Sequence, residues 1–292
     1  MSTPVDSSGA PGEIVDNPAP PETAWRDAAK RVLWRLLSRR GYQRMLAYSK
    51  ARDFASGRFR EPELDLVAAL VEPGDVAVDV GANHGMWTLA LSRAVGGAGR
   101  VYSFEPVPFT FGVLSAVARR GRLANVTLVN KGCSDREATM EMTVPLQGSG
   151  AGDDLQAHLA HRNGEADGDA GESVQVSCEV TTLDSALAGV EGVSLLKLDI
   201  EGAELLALRG AKALIARERP AIVCEVDAEF LAGFGQEPRD VVEFLGQWGY
   251  EAHRYDGKAR RLEPVAEPAR IGHANVLFLT PAQGEKLSGF HA

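Results

Sequence analysis

From Pro73 to Leu279, short β-rich apolar runs alternate with helical patterns, and a chain written this way folds as βαβ units around a parallel sheet. Strands are predicted over residues 76–80, 100–104, 126–130, 194–199 and 221–226. Helices are predicted over 86–95, 108–119, 203–216 and 238–248, and residues 250–255 and 275–279 read as a closing strand pair. Seven strands with interleaved helices make an α/β fold built on a doubly wound, mostly parallel sheet. The chain has 292 residues, 45% of them apolar, enough for one large core or two modest ones.

The flanks follow other rules. Residues 1–24 hold five prolines, four acids and no basic residue, so they cannot bury enough apolar surface to order themselves. After them, Trp25, Ala29, Val32, Leu33, Leu36 and Leu37 recur at helical spacing among Arg26, Lys30, Arg31, Arg35, Arg39 and Arg40. That predicts a basic amphipathic helix stopping near Gly41, with further helical pieces over 42–55 and 61–71. The expected layout is a tail over 1–24, a basic helical extension over 25–60, the main domain over 61–282 and a second tail over 283–292. Inside the main domain, residues 138–144 read as half of a hairpin. Residues 148–173 read as a flexible insertion, in which His158 and His161 are solvated.

The net charge of −9 is unevenly spread. Between Arg26 and Arg60 there are 11 Lys or Arg against Asp27 and Asp53, so this stretch is +9 and the remainder −18. An acidic body excludes a general nucleic-acid binder. Cys133, Cys178 and Cys224 are odd in number and lack C-x-x-C spacing, which excludes a disulfide framework and an all-cysteine zinc site. They read as small core residues of a protein in a reducing compartment. No apolar run approaches the roughly 18 residues of a membrane span, and the first residues lack a secretory pattern. The expected location is cytoplasmic.

Two motifs carry chemistry. Val78-Asp79-Val80-Gly81-Ala82-Asn83-His84-Gly85 lies where the first strand hands over to its helix, where glycines admit a ligand close to the backbone and helix N–H groups attract anions. Glu105 ends the second strand, the place from which a carboxylate accepts hydrogen bonds from both ribose hydroxyls of a nucleotide-containing cofactor. Asn83 replaces the middle glycine of a dinucleotide fingerprint, which weakens that reading. The second motif, Leu196-Lys197-Leu198-Asp199-Ile200-Glu201-Gly202-Ala203-Glu204, ends the fourth strand. Its acids face the same crevice and suit a general base, a hydroxyl-positioning group or a divalent cation ligand. Lys197 and Glu204 read as structural.

These residues resemble the FkbM-type S-adenosylmethionine (SAM)-dependent methyltransferases. The likeness rests on VDVGANHGMWTLAL (78–91), VYSFEP (101–106), Thr182-Leu183-Asp184, LLKLDIEGAELLALRGA (195–211), the acid-ended strand 221–225 and Asn275-Val276-Leu277-Phe278, in order across about 62–280. It implies a class I (Rossmann-like) methyltransferase fold and methyl transfer to a hydroxyl oxygen of a sugar, polysaccharide or natural-product acceptor. It places cofactor contacts at Asp79, Gly81, Ala82, Asn83, Gly85 and Glu105, with Ser134 and Asp135 near the adenine.

Methyl transfer from SAM needs an aligned nucleophilic oxygen and removal of its proton. Asp199 is the first candidate for base or orienting group, with Glu201, Glu225 and His84 behind it. The carboxylates permit a divalent cation such as Mg²⁺, with Asp199 as a candidate ligand, but no spacing demands one. The competing readings are a nicotinamide-dependent oxidoreductase and a catalytically silent methyltransferase-like module. The basic helix over 25–40 either lays its apolar face on the core as a lid, aided by its attraction to the acidic body, or rests on an anionic membrane surface and presents a lipid-linked glycan acceptor.

Overall fold

The computed structural model describes residues 14–15, 36–57, 60–145, 158–159 and 173–290. Helix α1 (Arg39–Ser56), a 3-10 turn (Pro62–Asp65) and α2 (Val67–Leu70) lead into β1 (Val76–Val80), α3 (Met86–Val95), β2 (Arg100–Phe104), α4 (Pro108–Gly121) and β3 (Val126–Val129). Three strands of a smaller sheet follow: β4 (Gly132–Cys133), β5 (Ala138–Pro145) and β6 (Ser173–Thr181). The chain then returns through α5 (Leu183–Ala186), β7 (Val193–Leu198), α6 (Glu204–Arg209), α7 (Lys212–Glu218), β8 (Ala221–Asp227), α8 (Ala228–Gly233) and α9 (Pro238–Gly246). It closes with β9 (Glu251–Asp256), β10 (Arg261–Pro264), β11 (Ile271–Leu279) and α10 (Pro281–Lys286).

The large sheet runs β10-β9-β11-β8-β7-β1-β2-β3, with Ile14–Val15 added along β11. Pairing is parallel from β3 through β2, β1 and β7 to β8, and β11 runs antiparallel between β8 and β9. Successive side chains of a strand face opposite sides, so each face has its own core. On one, Ala77, Leu195, Val223 and Leu277 pack with Leu66, Leu70, Trp87 and Leu91. On the other, Val78, Leu196, Ile222 and Phe278 pack with Leu205, Leu214, Val241 and Leu245. Strands β2 and β3 extend to one side of β1 and β7 and β8 to the other. This reversal opens a crevice at the carboxyl ends of β1 and β7, where α/β sheets bind ligands.

The predicted strands and the helices over 86–95 and 108–119 are present, and the departures have local causes. The helix expected over 203–216 is two, α6 and α7, divided at Gly210-Ala211. A Cβ on Gly210 would stand 2.1 Å from the Ser134 carbonyl oxygen, and the Asp184 carboxylate accepts the Ala213 and Leu214 N–H groups at 3.0 and 2.8 Å, capping α7 afresh. The half-hairpin over 138–144 finds its partner in β6, an antiparallel strand that had not been expected. The insertion over 148–173 lies outside the described residues except for the backbone of Ser173 and of His158–Leu159, which pairs with β5; His161 is not described. The expected tail over 283–292 is instead structured through residue 290: α10 packs beside α2, and Leu287 is fully buried in the first core.

Gly41 does not stop a helix. Ser38 starts one by accepting the Gly41 N–H, and α1 runs on to Gly57, whose left-handed backbone ends it. Residues 25–35 of the expected basic helix, and the tail over 1–24 apart from the Ile14–Val15 backbone, lie outside the described residues. Apolar contact holds α1 to the body. Tyr42, Leu46 and Ala47 bury against Val113, Ala116 and Val117 of α4, whose Arg120 stands 4.6 Å over the Tyr48 ring. Leu46→Ala should therefore lower stability in urea unfolding by about 2–5 kcal/mol. Arg44→Ala, on the exposed face, should change it by about 0.5 kcal/mol or less.

Candidate active site

The turn after β1 is set by close approach. Gly81 N and Ala82 N donate to the Phe104 carbonyl at 3.0 and 2.9 Å, and Asp199 N donates to the Val80 carbonyl at 3.0 Å. These bonds press the turn onto the end of β7. A Cβ on Gly81 would stand 1.7 Å from the Asp199 carbonyl oxygen, at a φ of +79°, so glycine alone fits. Asn83 takes a left-handed φ of +46°, a conformation asparagine tolerates. Its N–H then donates to Glu105 Oε2 at 3.1 Å, while Val107 N donates to Oε1 at 2.9 Å. Each carboxylate oxygen keeps a further lone pair for a ligand hydroxyl. Burial outweighs these two bonds and pushes the Glu105 pKa up to about 7.

Beneath the turn, Asp79 is buried beside Thr88, whose hydroxyl stands 2.6 Å from Asp79 Oδ2 and 2.9 Å from Ser103 Oγ. Burial raises its pKa to about 6 against the opposing effects of Thr88 and Lys197. Lys197 is 1% exposed. Its ammonium donates to Asn275 Oδ1 at 2.9 Å, lies 3.6 Å from Asp199 Oδ2 and sits 5.4 Å over the Trp87 ring. Asn275 Nδ2 and Trp87 Nε1 both donate to Glu61 Oε2, at 3.2 and 2.8 Å. Burial alone would depress the lysine pKa, but Asp199, Glu61 and Glu225 together hold it above its ordinary value.

Three acids converge above this lysine. Asp199, Glu201 and Glu225 each bring one carboxylate oxygen within 4.8 Å of the others. Burial, then the charge of Asp199, pushes Glu225 well above the usual carboxylate range. Glu201 holds a left-handed φ of +55°. Burial, then Asp199 and Glu204, lifts its pKa to about 8. The Glu201 Oε2 atom is buried without a hydrogen-bond partner. Glu204 serves the backbone, accepting Ile200 N and Gly202 N at 2.9 and 3.2 Å.

The structure thus gathers Asp79, Gly81, Ala82, Asn83, Gly85 and Glu105 around one turn, and sets Asp199, Glu201 and Glu225 beside it. His84 is buried in the turn itself. Ser134 is tucked under Gly210, and its hydroxyl contacts Asp135, which pairs with Arg136. The sequence reading assigns no site role to Glu61, Asn275, Asp227 or His273, and takes Lys197 as structural. A signal was present. Counting by twos from Lys197 reaches Asp199 and Glu201; from Val223 it reaches Glu225 and Asp227; and from Leu277 back it reaches Asn275 and His273. One face of the sheet therefore turns from apolar to polar towards the crevice.

A doubly wound sheet with a glycine turn, a strand-ending Glu105 and an acid cluster at the next strand end is the arrangement of a Rossmann-like nucleotide-cofactor enzyme. Residues 79–252, more than half of the chain, match the methyltransferase FkbM domain family, and the chain belongs to it. It is 31% identical over 167 residues to 31-O-demethyl-FK506 methyltransferase FkbM of Streptomyces tacrolimicus, a match covering 49% of this chain and 61% of that protein. It is also 31% identical over 153 residues to methyltransferase sdnD of Sordaria araneosa, covering 46% of this chain and 59% of that one. The chain thus spans about three fifths of the length of the curated relatives it matches. The structure of methyltransferase FkbM from Methylobacillus flagellatus KT aligns with a TM-score of 0.46 at 17% identity, covering 87% of this chain and 59% of that one.

The raised carboxyl groups set a pH dependence. Asp79, Glu105, Glu204 and Glu201 have folded pKa values of about 6, 7, 7 and 8, all above their ordinary values. Through that window the folded chain binds more protons than the unfolded one, so stability falls as pH rises. Urea midpoints of the ligand-free protein should decline between about pH 5 and about pH 8. Glu105→Gln and Glu201→Gln should each flatten that slope, and a midpoint that rises with pH contradicts the assignment.

Proposed function

We propose that the chain is a SAM-dependent methyltransferase that transfers a methyl group to a hydroxyl oxygen of a sugar, polysaccharide or natural-product acceptor. The observation that carries this reading is Glu105, a buried carboxylate at a strand end, held by Asn83 N and Val107 N with lone pairs left for ribose hydroxyls. The donor set also fits the cofactor. Asp79, Glu105 and Asp199 surround the turn with hydrogen-bond acceptors, which suits a sulfonium cation carrying an amino group. The pyrophosphate of a nicotinamide dinucleotide, itself made of acceptors, would find no donor among these side chains, which counts against the oxidoreductase alternative. A silent module differs from an enzyme in forming no product.

Bound SAM would supply an already activated methyl group. The chain's own task is then to align the acceptor oxygen and take its proton. Asp199 is placed for this: it is one-third exposed at the crevice, 3.6 Å from the Lys197 ammonium. Burial, then the neighbouring Asp199, pushes the Glu225 carboxyl well above the usual carboxylate range. A divalent cation such as Mg²⁺ on the three carboxylates is the alternative. The Lys197 ammonium already supplies positive charge there, which favours the base role.

Titration calorimetry with SAM, and mass spectrometry of a cell extract incubated with labelled SAM and the full chain, test the reading. Glu105→Ala should weaken SAM binding roughly 10- to 150-fold, the equivalent of about 1.5–3 kcal/mol for lost charge-assisted hydrogen bonds. Asp199→Asn should keep SAM affinity and lower kcat strongly. Loss of activity in EDTA with recovery in Mg²⁺ would move Asp199 to a cation-binding role, and absence of SAM binding would sink the whole reading.

A peripheral contact with the inner membrane surface is proposed separately, within a cytoplasmic setting. It is favoured by Leu36, 75% exposed, and the exposed Leu37 beside Arg39 and Arg40 at the start of α1. Full-length protein should co-sediment with anionic liposomes in a salt-sensitive way, each basic residue contributing on the order of 1 kcal/mol. If it stays in the supernatant at low salt, the contact is absent.

A further inference from the structure

The face that α1 and α4 present to solvent carries charge of one sign. The two helices run side by side in the same direction: Arg39 stands 5.7 Å over the Phe109 ring at one end, and Arg120 stands 4.6 Å over the Tyr48 ring further along. Arg40, Arg44, Tyr48 and Arg52 recur every fourth residue of α1, which sets them in one row about 18 Å long, and all four are exposed. Arg119, Arg120 and Arg122, at the end of α4, are exposed beside the far half of that row. Against these, α1 holds a single acid, Asp53, and α4 holds none. Among the described residues, none of these arginines has a carboxylate partner. Between the end of α4 and β3, the edge strand of the large sheet, lies a shallow pocket of about 450 Å³. Arg119 and Arg122 line it together with the apolar Ala118, Leu123, Val126 and Leu128.

We infer that the α1–α4 face docks side-on against an anionic lipid bilayer, with the pocket at Arg119 and Arg122 taking the headgroup phosphate of one lipid. This deepens the peripheral contact proposed above, which rests on Leu36 to Arg40 alone, by adding the length of α1 and the end of α4 to it. Shape and charge select a lipid surface over a soluble polyanion. The chain outside the basic stretch carries −18, so a polymer that wraps the body meets repulsion, whereas a plane touches the basic face alone. Tyr48, 53% exposed in the middle of the row, and the exposed Leu36 and Leu37 before it set aromatic and aliphatic groups among the arginines. That is the composition of a face that enters the boundary between headgroups and acyl chains. The pocket repeats the same pairing: its two guanidinium groups suit phosphate oxygens, and its apolar lining suits the ester and chain that follow a lipid phosphate. Helix α4 begins at Pro108, three residues after Glu105, so docking along this face brings the crevice to the edge of the lipid surface.

Sedimentation of full-length protein with phosphatidylcholine vesicles, with and without phosphatidylglycerol, needs neither SAM nor an acceptor. Binding should require phosphatidylglycerol and weaken with salt. Arg119→Gln, Arg120→Gln and Arg122→Asn combined should lower the partition coefficient about 100-fold, with the urea midpoint close to the parent's; asparagine suits position 122, whose φ is +53°. A polarity-sensitive dye on Tyr48→Cys should shift to the blue on these vesicles. The same dye on Glu243→Cys, exposed on α9 over the opposite face of the sheet, should not. Cys133, Cys178 and Cys224 are buried, which leaves the introduced thiol to take the label. A parent that binds no vesicles overturns both the side-on docking and the peripheral contact. Parent-like binding of the triple variant overturns the docking alone and confines the contact to the start of α1. An unshifted dye at position 48 on bound vesicles marks a general polyanion site and overturns the docking as well.

Discussion

The ammonium of Lys197, buried in the middle of the sheet, determines much of what surrounds it. Taking one charge out of water costs several kcal/mol unless partners replace the solvent. The partners come from four separate parts of the chain: Asp199 two residues on, Asn275 from the antiparallel strand, Trp87 from α3 and, through Asn275, Glu61 from the segment before the sheet. A single desolvated cation therefore ties the N-terminal approach, the central strands and the closing strand together at one point. It also sets the chemistry above it. Above that one lysine stand three carboxyl groups, and burial raises the pKa values of Glu225 and Glu201.

The second constraint is steric. The Gly81 turn lies so close over the Asp199 carbonyl that no side chain fits between them. This fixes the separation of the two motifs, one at the end of β1 and the other at the end of β7, by backbone contact. The glycine turn and the acid cluster are thereby held as one rigid unit.

The strand and helix pattern of the large sheet was legible because apolar periodicity records which faces are buried, and two-sided burial leaves continuous apolar runs such as 221–224. Departures arose where a distant contact overrides local pattern. Gly210 divides a helical sequence because Ser134 lies against it, and nothing within residues 203–216 reports Ser134. Strand β6 was different: Val174, Val176, Cys178 and Val180 alternate with polar residues, and the signal was obscured by the glycine- and aspartate-rich stretch before it. Of the candidate site, the glycine turn, Glu105 and the acids of β7 could be read, since each motif is contiguous. Asn275, Asp227 and His273 leave a trace in the alternation of their strands, but which groups they meet depends on the antiparallel insertion of β11 between β8 and β9.

That insertion has a functional consequence. In a wholly parallel sheet, each strand brings only its carboxyl end to the crevice, and the residues available there follow a strand and open a loop or helix. An antiparallel strand brings its amino end instead, so His273 and Asn275 reach the crevice from the first half of a strand whose later residues, Leu277 and Leu279, lie in the apolar core. Side chains on a strand are held more firmly than those on a loop. The groups that meet Glu225 and Lys197 from the far side are therefore anchored by the same ladder that closes the sheet. Asp227 completes the arrangement by capping α8 with one oxygen and orienting His273 with the other. A change at Asp227 thus acts on the imidazole and on the helix together, whereas a change at His273 leaves the helix cap intact.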